Sequence, residues 1–206
     1  MSKPLILSIM KRLSESAIST VKTTALVGQY MDRADLRGKN LEGVNFTSSS
    51  LRGADFSEAN LRNTTFIKAD LSRACFYRAD LTGAVLDNAD MSMSYAKAAT
   101  FKDASMRWVS FRGATYKNSF FWNTDLWGSD FRGAFLLGTL FCNCKMDEVR
   151  NLHHALFYWY RHPEKGGLPI YEPKKGYEKL GYSAIPGYSY QENAGPGRVN
   201  KWTSVG

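Results

Sequence analysis

With 206 residues, 44% hydrophobic and 22% charged, the chain has the size of one domain with appendages and the composition of a globular protein rather than a disordered one. No stretch approaches the roughly 18 consecutive apolar residues of a membrane-spanning helix, and three cysteines do not make a disulfide-stapled secreted scaffold. The formal charge of +8 is unevenly placed: residues 1–33 carry 5 basic and 2 acidic groups, residues 34–148 carry 14 and 13, and residues 149–206 carry 8 and 4.

At the N-terminus, Leu5, Ile6, Ile9, Met10, Leu13 and Ala17 recur at helical spacing behind Pro4, which suits a first helical turn. A capping helix over 4–30, within an N-terminal segment 1–33, is the plain reading; a surface-docking amphipathic segment is the other. Lys11 and Arg12 interrupt the short apolar run and no small-residue cleavage site follows. No signal peptide is therefore expected, and the expected location is the cytoplasm or an intracellularly assembled particle. Leu26 and Met31 already fall on the period described next, so the repeat could begin before residue 34.

From 34 to 148 the period is five, neither the helical 3.6 nor the strand period of two. One apolar residue recurs at Leu36, Leu41, Phe46, Leu51, Phe56, Leu61, Phe66, Leu71, Phe76, Leu81, Leu86, Met91, Ala96, Phe101, Met106, Phe111, Tyr116, Phe121, Leu126, Phe131, Leu136, Phe141 and Met146. At 44% apolar overall, chance gives such a run about once in 10⁸. Two residues before each stands a second register made mostly of Ala, Ser and Thr, and between the two registers Asp or Asn is common. Gly or polar residues follow the large one. One large and one small inward residue, then a tight corner, describes one side of a square tube. Four sides close a coil of 20 residues, so this stretch makes nearly six coils, a rod on the order of 28 Å long at ~4.8 Å per step. The large residues other than Ala96 are the expected structural core.

Runs such as Ala54-Asp55-Phe56, Ala59-Asn60-Leu61, Ala69-Asp70-Leu71 and Ala79-Asp80-Leu81 resemble the A(D/N)LXX signature of the pentapeptide-repeat family. The resemblance implies an all-β fold, a right-handed quadrilateral β-helix, here with an N-terminal helical cap, a short C-terminal helix and an extended C-terminal arm. It does not fix function. Inhibition or protection of DNA gyrase by members that resemble duplex DNA is the activity the family suggests first. Those members present acidic columns, whereas this rod is near neutral with Arg37, Arg52, Arg62, Arg73, Arg78, Arg107, Arg112 and Arg132 facing outward. It also lacks the loops that break the register in resistance-conferring members. A DNA-mimicking gyrase or topoisomerase modulator is therefore the second reading.

Toward its end the repeat places large apolar residues at outward positions: Trp108, Phe120, Trp122, Trp127, Phe135, Leu137 and Leu140. Phe120 and Leu140 are one coil apart on one side. Such a patch is either covered by the chain itself or used to dock another subunit. Residues 149–162, with Val149, Leu152, Leu156 and Trp159 on one face, predict a closing helix; the resemblance admits a homodimer through it. From 163 to 206, Gly and Pro exclude any long regular element, yet Tyr171, Tyr177, Tyr182, Tyr188, Tyr190 and Trp202 make this an arm rich in anchors.

No catalytic, cofactor-binding or metal-binding set is expected. Cys142-Asn143-Cys144 near His153-His154 is not read as a metal site, because Cys144 takes the inward register and Cys142 the outward one. The Asp ladder belongs to the corners. Nucleic-acid binding by the basic ends is disfavoured by their low charge density. The sequence thus points to a non-catalytic structural protein, a rigid rod whose aromatic end and arm dock onto other protein subunits of a larger assembly such as a virion or multi-subunit complex.

Overall fold

The computed structural model describes residues 26–152, 188–191 and 201–204. The N-terminal helix expected before Leu26 and the closing helix beyond Leu152 lie outside the described residues.

Between Leu26 and Leu152 the chain coils. Each pentad contributes one bridge residue, which pairs in parallel with the residue 20 positions on, as in Asp35↔Asp55, Asn40↔Asn60, Asn45↔Thr65 and Ser50↔Asp70. Each rung is double: Asp55 N–H donates to Ala34 O at 2.9 Å, and Leu36 N–H donates to Asp55 O at 2.8 Å. Four bridge columns define four sides. The first runs Tyr30, Ser50, Asp70, Asp90, Ser110, Asp130, Arg150. The second runs Asp35, Asp55, Cys75, Tyr95, Thr115, Phe135, the third Asn40 to Leu140 and the fourth Asn45 to Lys145. On the third side the bridge lengthens into β1 (Phe120–Trp122) and β2 (Leu140–Cys142), which are parallel.

The corners explain why the period is five. The second residue after each large one has φ between +50° and +70° throughout, from Gly28 to Glu148. A turn of type II needs this left-handed conformation at its third position, and most corners have its i→i+3 bond, for example Val44 N–H to Leu41 O at 3.0 Å. Glycine takes the position at Gly38 or Gly53, and Asn63, Asn88, Asn118 and Asn123 tolerate it as short polar residues.

Inside, the large residues from Met31 to Leu136 are at most 1% exposed and the aromatics stack coil on coil. Phe46 lies 5.2 Å from Phe66, Phe56 5.1 Å from Phe76, and Phe111 4.5 Å from Phe131. Ala96, small in the large register, lies directly beneath Tyr116, whose hydroxyl meets Ser94 Oγ at 3.1 Å. Burial pushes that phenol's pKa well above its ordinary range, only partly offset by Ser94. Buried Ser and Thr in the small register each donate to a carbonyl. Thr64, Thr124 and Ser129 reach back one coil to the carbonyls of Leu41, Phe101 and Met106 at 3.0, 2.6 and 2.7 Å. A hydroxyl can thus replace Ala without leaving a buried donor unsatisfied.

Of the two starts the sequence leaves open, the structure has the earlier one: the coil includes Leu26 and Met31, which are buried in the same core. Three details differ from the sequence-based expectation. The predicted helix start at 149 is instead a further pentad, the last among the described residues: Val149 takes the small register, and Arg150 bridges Asp130. Cys142, placed outward by its register, is fully buried beside Trp122 in the ladder, while Cys144 and Phe141 are half-buried in the last described coil. Within the arm, β3 (Tyr188–Gln191) pairs antiparallel with β4 (Lys201–Ser204), so these segments are not singly extended; Tyr, Trp and Thr favour such pairing.

Candidate protein-interaction surface

The outward positions carry the candidate chemistry, and their charge is largely cancelled between coils. An arginine at a corner reaches the aspartate 18 residues on: Arg52–Asp70 at 2.5 Å, Arg62–Asp80 at 3.5 Å, Arg107–Asp125 at 2.7 Å and Arg112–Asp130 at 2.8 Å. Exposed pairs of this kind contribute little stability, ~0–1 kcal/mol each. They do remove the free carboxylate column that imitation of a phosphate backbone requires.

Asp130 is the exception in burial, at 3% exposure. Burial alone would raise its pKa. Hydrogen bonds from Asn151 Nδ2 (2.8 Å) and Arg112, with the Arg132 N–H at 3.0 Å, outweigh that and hold it below the usual carboxylate range. Asp125, with Arg107 and the Trp127 N–H, and Asp70, with Ser72 and Arg52, are lowered against burial in the same way. A carboxylate with a depressed folded-state pKa contributes stability that is complete above its unfolded value and is lost as pH falls through the folded value. The thermal midpoint should therefore hold from neutral pH down to about pH 4 and fall below it. Asp130→Asn should cost about 1–3 kcal/mol at neutral pH and flatten that acid limb, as read by melting curves across pH.

The outward apolar residues divide between separate places. Trp108 and Trp127 occupy the corner between the fourth and first sides. Phe120 and Leu140 lie on the third side, Phe135 on the second, Leu137 at the corner between those two and Trp122 at the far corner of the third. Trp108, Phe120, Trp127 and Phe135 are exposed; Trp122, Leu137 and Leu140 are half-buried. The sequence groups all seven at one end of the rod, and the coil separates them into two surfaces. In the arm, Tyr190 and Trp202 are backbone partners in the β3–β4 register and Tyr188 begins β3; Tyr171, Tyr177 and Tyr182 lie outside the described residues.

Trp108 is the bulkiest side chain at the left-handed corner position, where its φ of +57° lies in the range common to every corner, and its indole lies flat against Gly128 one coil on. A Cβ on Gly128 would sit 2.5 Å from Trp108 Cε3. The Trp127 ring packs edge-on at 4.7 Å, and the Arg150 guanidinium lies 5.7 Å from the Trp108 ring. Beside them Arg107, Asp125, Trp127, Lys145 and Asp147 line a shallow cleft. Arg150, expected within a helix, and Tyr95, an exposed bridge residue on the second side, are functional-surface residues that the sequence expectation does not include. Tyr95 was findable as the outward residue one coil before Thr115.

Among the described residues no group of His, Cys, Asp and Glu could hold a metal ion, and no helix is long and apolar enough to cross a membrane.

The family model for pentapeptide repeats matches in 8 copies over 30–63, 40–76, 50–83, 74–113 and 117–147, more than half of the chain. Among solved structures, a pentapeptide repeat protein from the Arabidopsis thaliana thylakoid lumen is 33% identical, covering 50% of this chain and 69% of that one, with a TM-score of 0.29. QnrB1, a plasmid-mediated fluoroquinolone resistance protein, is 24% identical, covering 63% and 68%, with a TM-score of 0.35. HetL, involved in heterocyst differentiation regulation in the cyanobacterium Nostoc sp., is 16% identical, covering 76% and 97%, with a TM-score of 0.27. None of the curated proteins matches the chain in sequence.

Proposed function

The chain belongs to the pentapeptide-repeat family, and on that footing we propose that it is a non-catalytic structural protein, a rigid rod that docks other protein subunits into a larger assembly such as a virion or multi-subunit complex. The observation that carries this reading is the Trp108–Trp127–Arg150 cluster. The left-handed backbone is common to every corner, but here the corner carries a tryptophan that is 43% exposed although Trp127 and Arg150 pack against it. An exposed aromatic cluster with an arginine supports a surface kept for contact, since Trp and Arg are the residue types that dominate interface energetics.

The test is size-exclusion chromatography of native extracts carrying the tagged full chain. The wild type should elute in a complex far larger than its 23.2 kDa, and Trp108→Ala/Trp127→Ala should elute as the free chain while keeping the far-ultraviolet circular dichroism of the folded coil. Elution of the wild type as a free chain would overturn the reading. The second reading, a DNA-mimicking gyrase or topoisomerase modulator, is opposed by the Arg–Asp pairing that neutralises the acidic columns. Inhibition of supercoiling by purified chain at sub-micromolar concentration would favour it instead.

A further inference from the structure

A second surface departs from the charge balance of the rod. Over the last three coils, the bridge positions of the second and third sides and the corner between them hold Tyr95, Lys97, Thr100, then Thr115, Lys117, Phe120, then Phe135, Leu137, Leu140. None of these positions is acidic. Lys97 and Lys117 occupy the same register one coil apart, and among the described residues neither makes an ion pair, whereas Arg52, Arg107 and Arg112 at other corners pair with aspartates. Lys97 instead lies 5.9 Å from the centre of the Tyr77 ring, an interaction that holds its ammonium without neutralising it. Tyr95, Phe120 and Phe135 are each about two-fifths exposed. The surface is therefore apolar toward the C-terminal end of the rod and cationic toward its middle.

We propose that this strip, running along the corner between the second and third sides, takes an acidic segment of a partner protein that carries leucine or phenylalanine among its carboxylates. Charge complementarity selects the occupant. Two unpaired lysines favour anions, and the five apolar residues beside them demand more than a free anion can offer. The chain's own C-terminal stretch fits poorly, since residues 153–206 carry seven Lys or Arg against four Asp or Glu and would set like charge on like. The inference deepens the docking reading by naming the chemistry of one partner, and it uses a surface separate from the Trp108 corner.

The experiment uses the full chain and a fluorescein-labelled synthetic peptide alternating glutamate with leucine and phenylalanine, followed by fluorescence anisotropy. The peptide should bind, its affinity should fall with added salt, and Lys97→Glu/Lys117→Glu should weaken it at least about tenfold. Phe135→Ser should weaken it as well, while Trp108→Ala should leave it unchanged. Equal binding of the analogue with lysine in place of glutamate would overturn the proposal, as would indifference to the lysine reversals. So would failure of the peptide while vesicles of equimolar phosphatidylcholine and phosphatidylglycerol, or a single-stranded oligothymidine, bind in a manner dependent on Lys97 and Lys117. If the peptide fails while the large complex still depends on Trp108 and Trp127, only the acidic-partner proposal falls; if the complex itself is absent, the docking reading falls with it.

Discussion

Phe121→Ala should lower the stability of the rod by about 3–5 kcal/mol, the usual cost of truncating a buried phenylalanine. Phe121 is fully buried and sits in the middle of a stack, 4.7 Å from Phe101 on one side and 4.9 Å from Phe141 on the other. Phe111 packs against it edge-on at 6.3 Å. The backbone of β1 is bonded to coils on both sides, so the wall has little freedom to close around the cavity. For a chain of this size the melting midpoint should fall by roughly 10 °C. Phe135→Ala, at an outward position, should stay within about 0.5 kcal/mol of wild type. Comparable losses for the two variants would mean that inward and outward registers are wrongly assigned.

Gly128→Ala should be the more disruptive of two glycine substitutions that look alike in sequence. Gly128 and Gly38 both have positive φ, +70° and +60°. Alanine at Gly38 meets nothing within 4 Å, so it should lose only the backbone preference, about 1–2 kcal/mol. At Gly128 the new methyl would fall 2.5 to 2.7 Å from three atoms of the Trp108 ring. The indole must swing away, leaving Trp127 and Arg150 without their partner, and the total cost should reach about 2–4 kcal/mol. Near-ultraviolet circular dichroism provides the independent readout, because the edge-on tryptophan pair should lose its coupled signal in Gly128→Ala and keep it in Gly38→Ala. An unchanged spectrum in Gly128→Ala would remove the argument that Trp108 is held in place by its neighbour.

These two cases mark what can be read from sequence and what cannot. The coiled architecture is legible because one side of the coil is a fixed five-residue unit, so Leu36 and Met146 obey the same rule despite the distance between them. Outward positions are legible by the same arithmetic, and it places Phe120 beside Leu140. The partition of the aromatic residues into two surfaces follows from a period of 20, although the local clustering of Trp108, Phe120, Trp122 and Trp127 in sequence suggests a single patch. Val149 and Leu152 look like the start of a helix because apolar residues three apart fit a helical face. Val149 is also the next small-register residue after Cys144, and the backbone bonds of that pentad, Arg150 N–H to Ser129 O at 2.8 Å among them, favour the coil. Nothing in the spacing indicates that the Trp108 side chain would lie along the rod onto Gly128, or that Asn151 and Arg112 would converge on Asp130. Those contacts join residues about one coil apart through side-chain torsions that the period does not constrain.

The rung pattern defines the coil: each outward bridge residue meets the residue 20 positions on while its two neighbours turn inward. The direct measurement is the set of backbone nuclear Overhauser contacts in an isotope-labelled sample. Contacts should link Asp55 with Cys75, Asp80 with Thr100 and Ser110 with Asp130, each pair belonging to adjacent coils. Contacts confined to residues three and four apart in sequence, with none between those pairs, would contradict it.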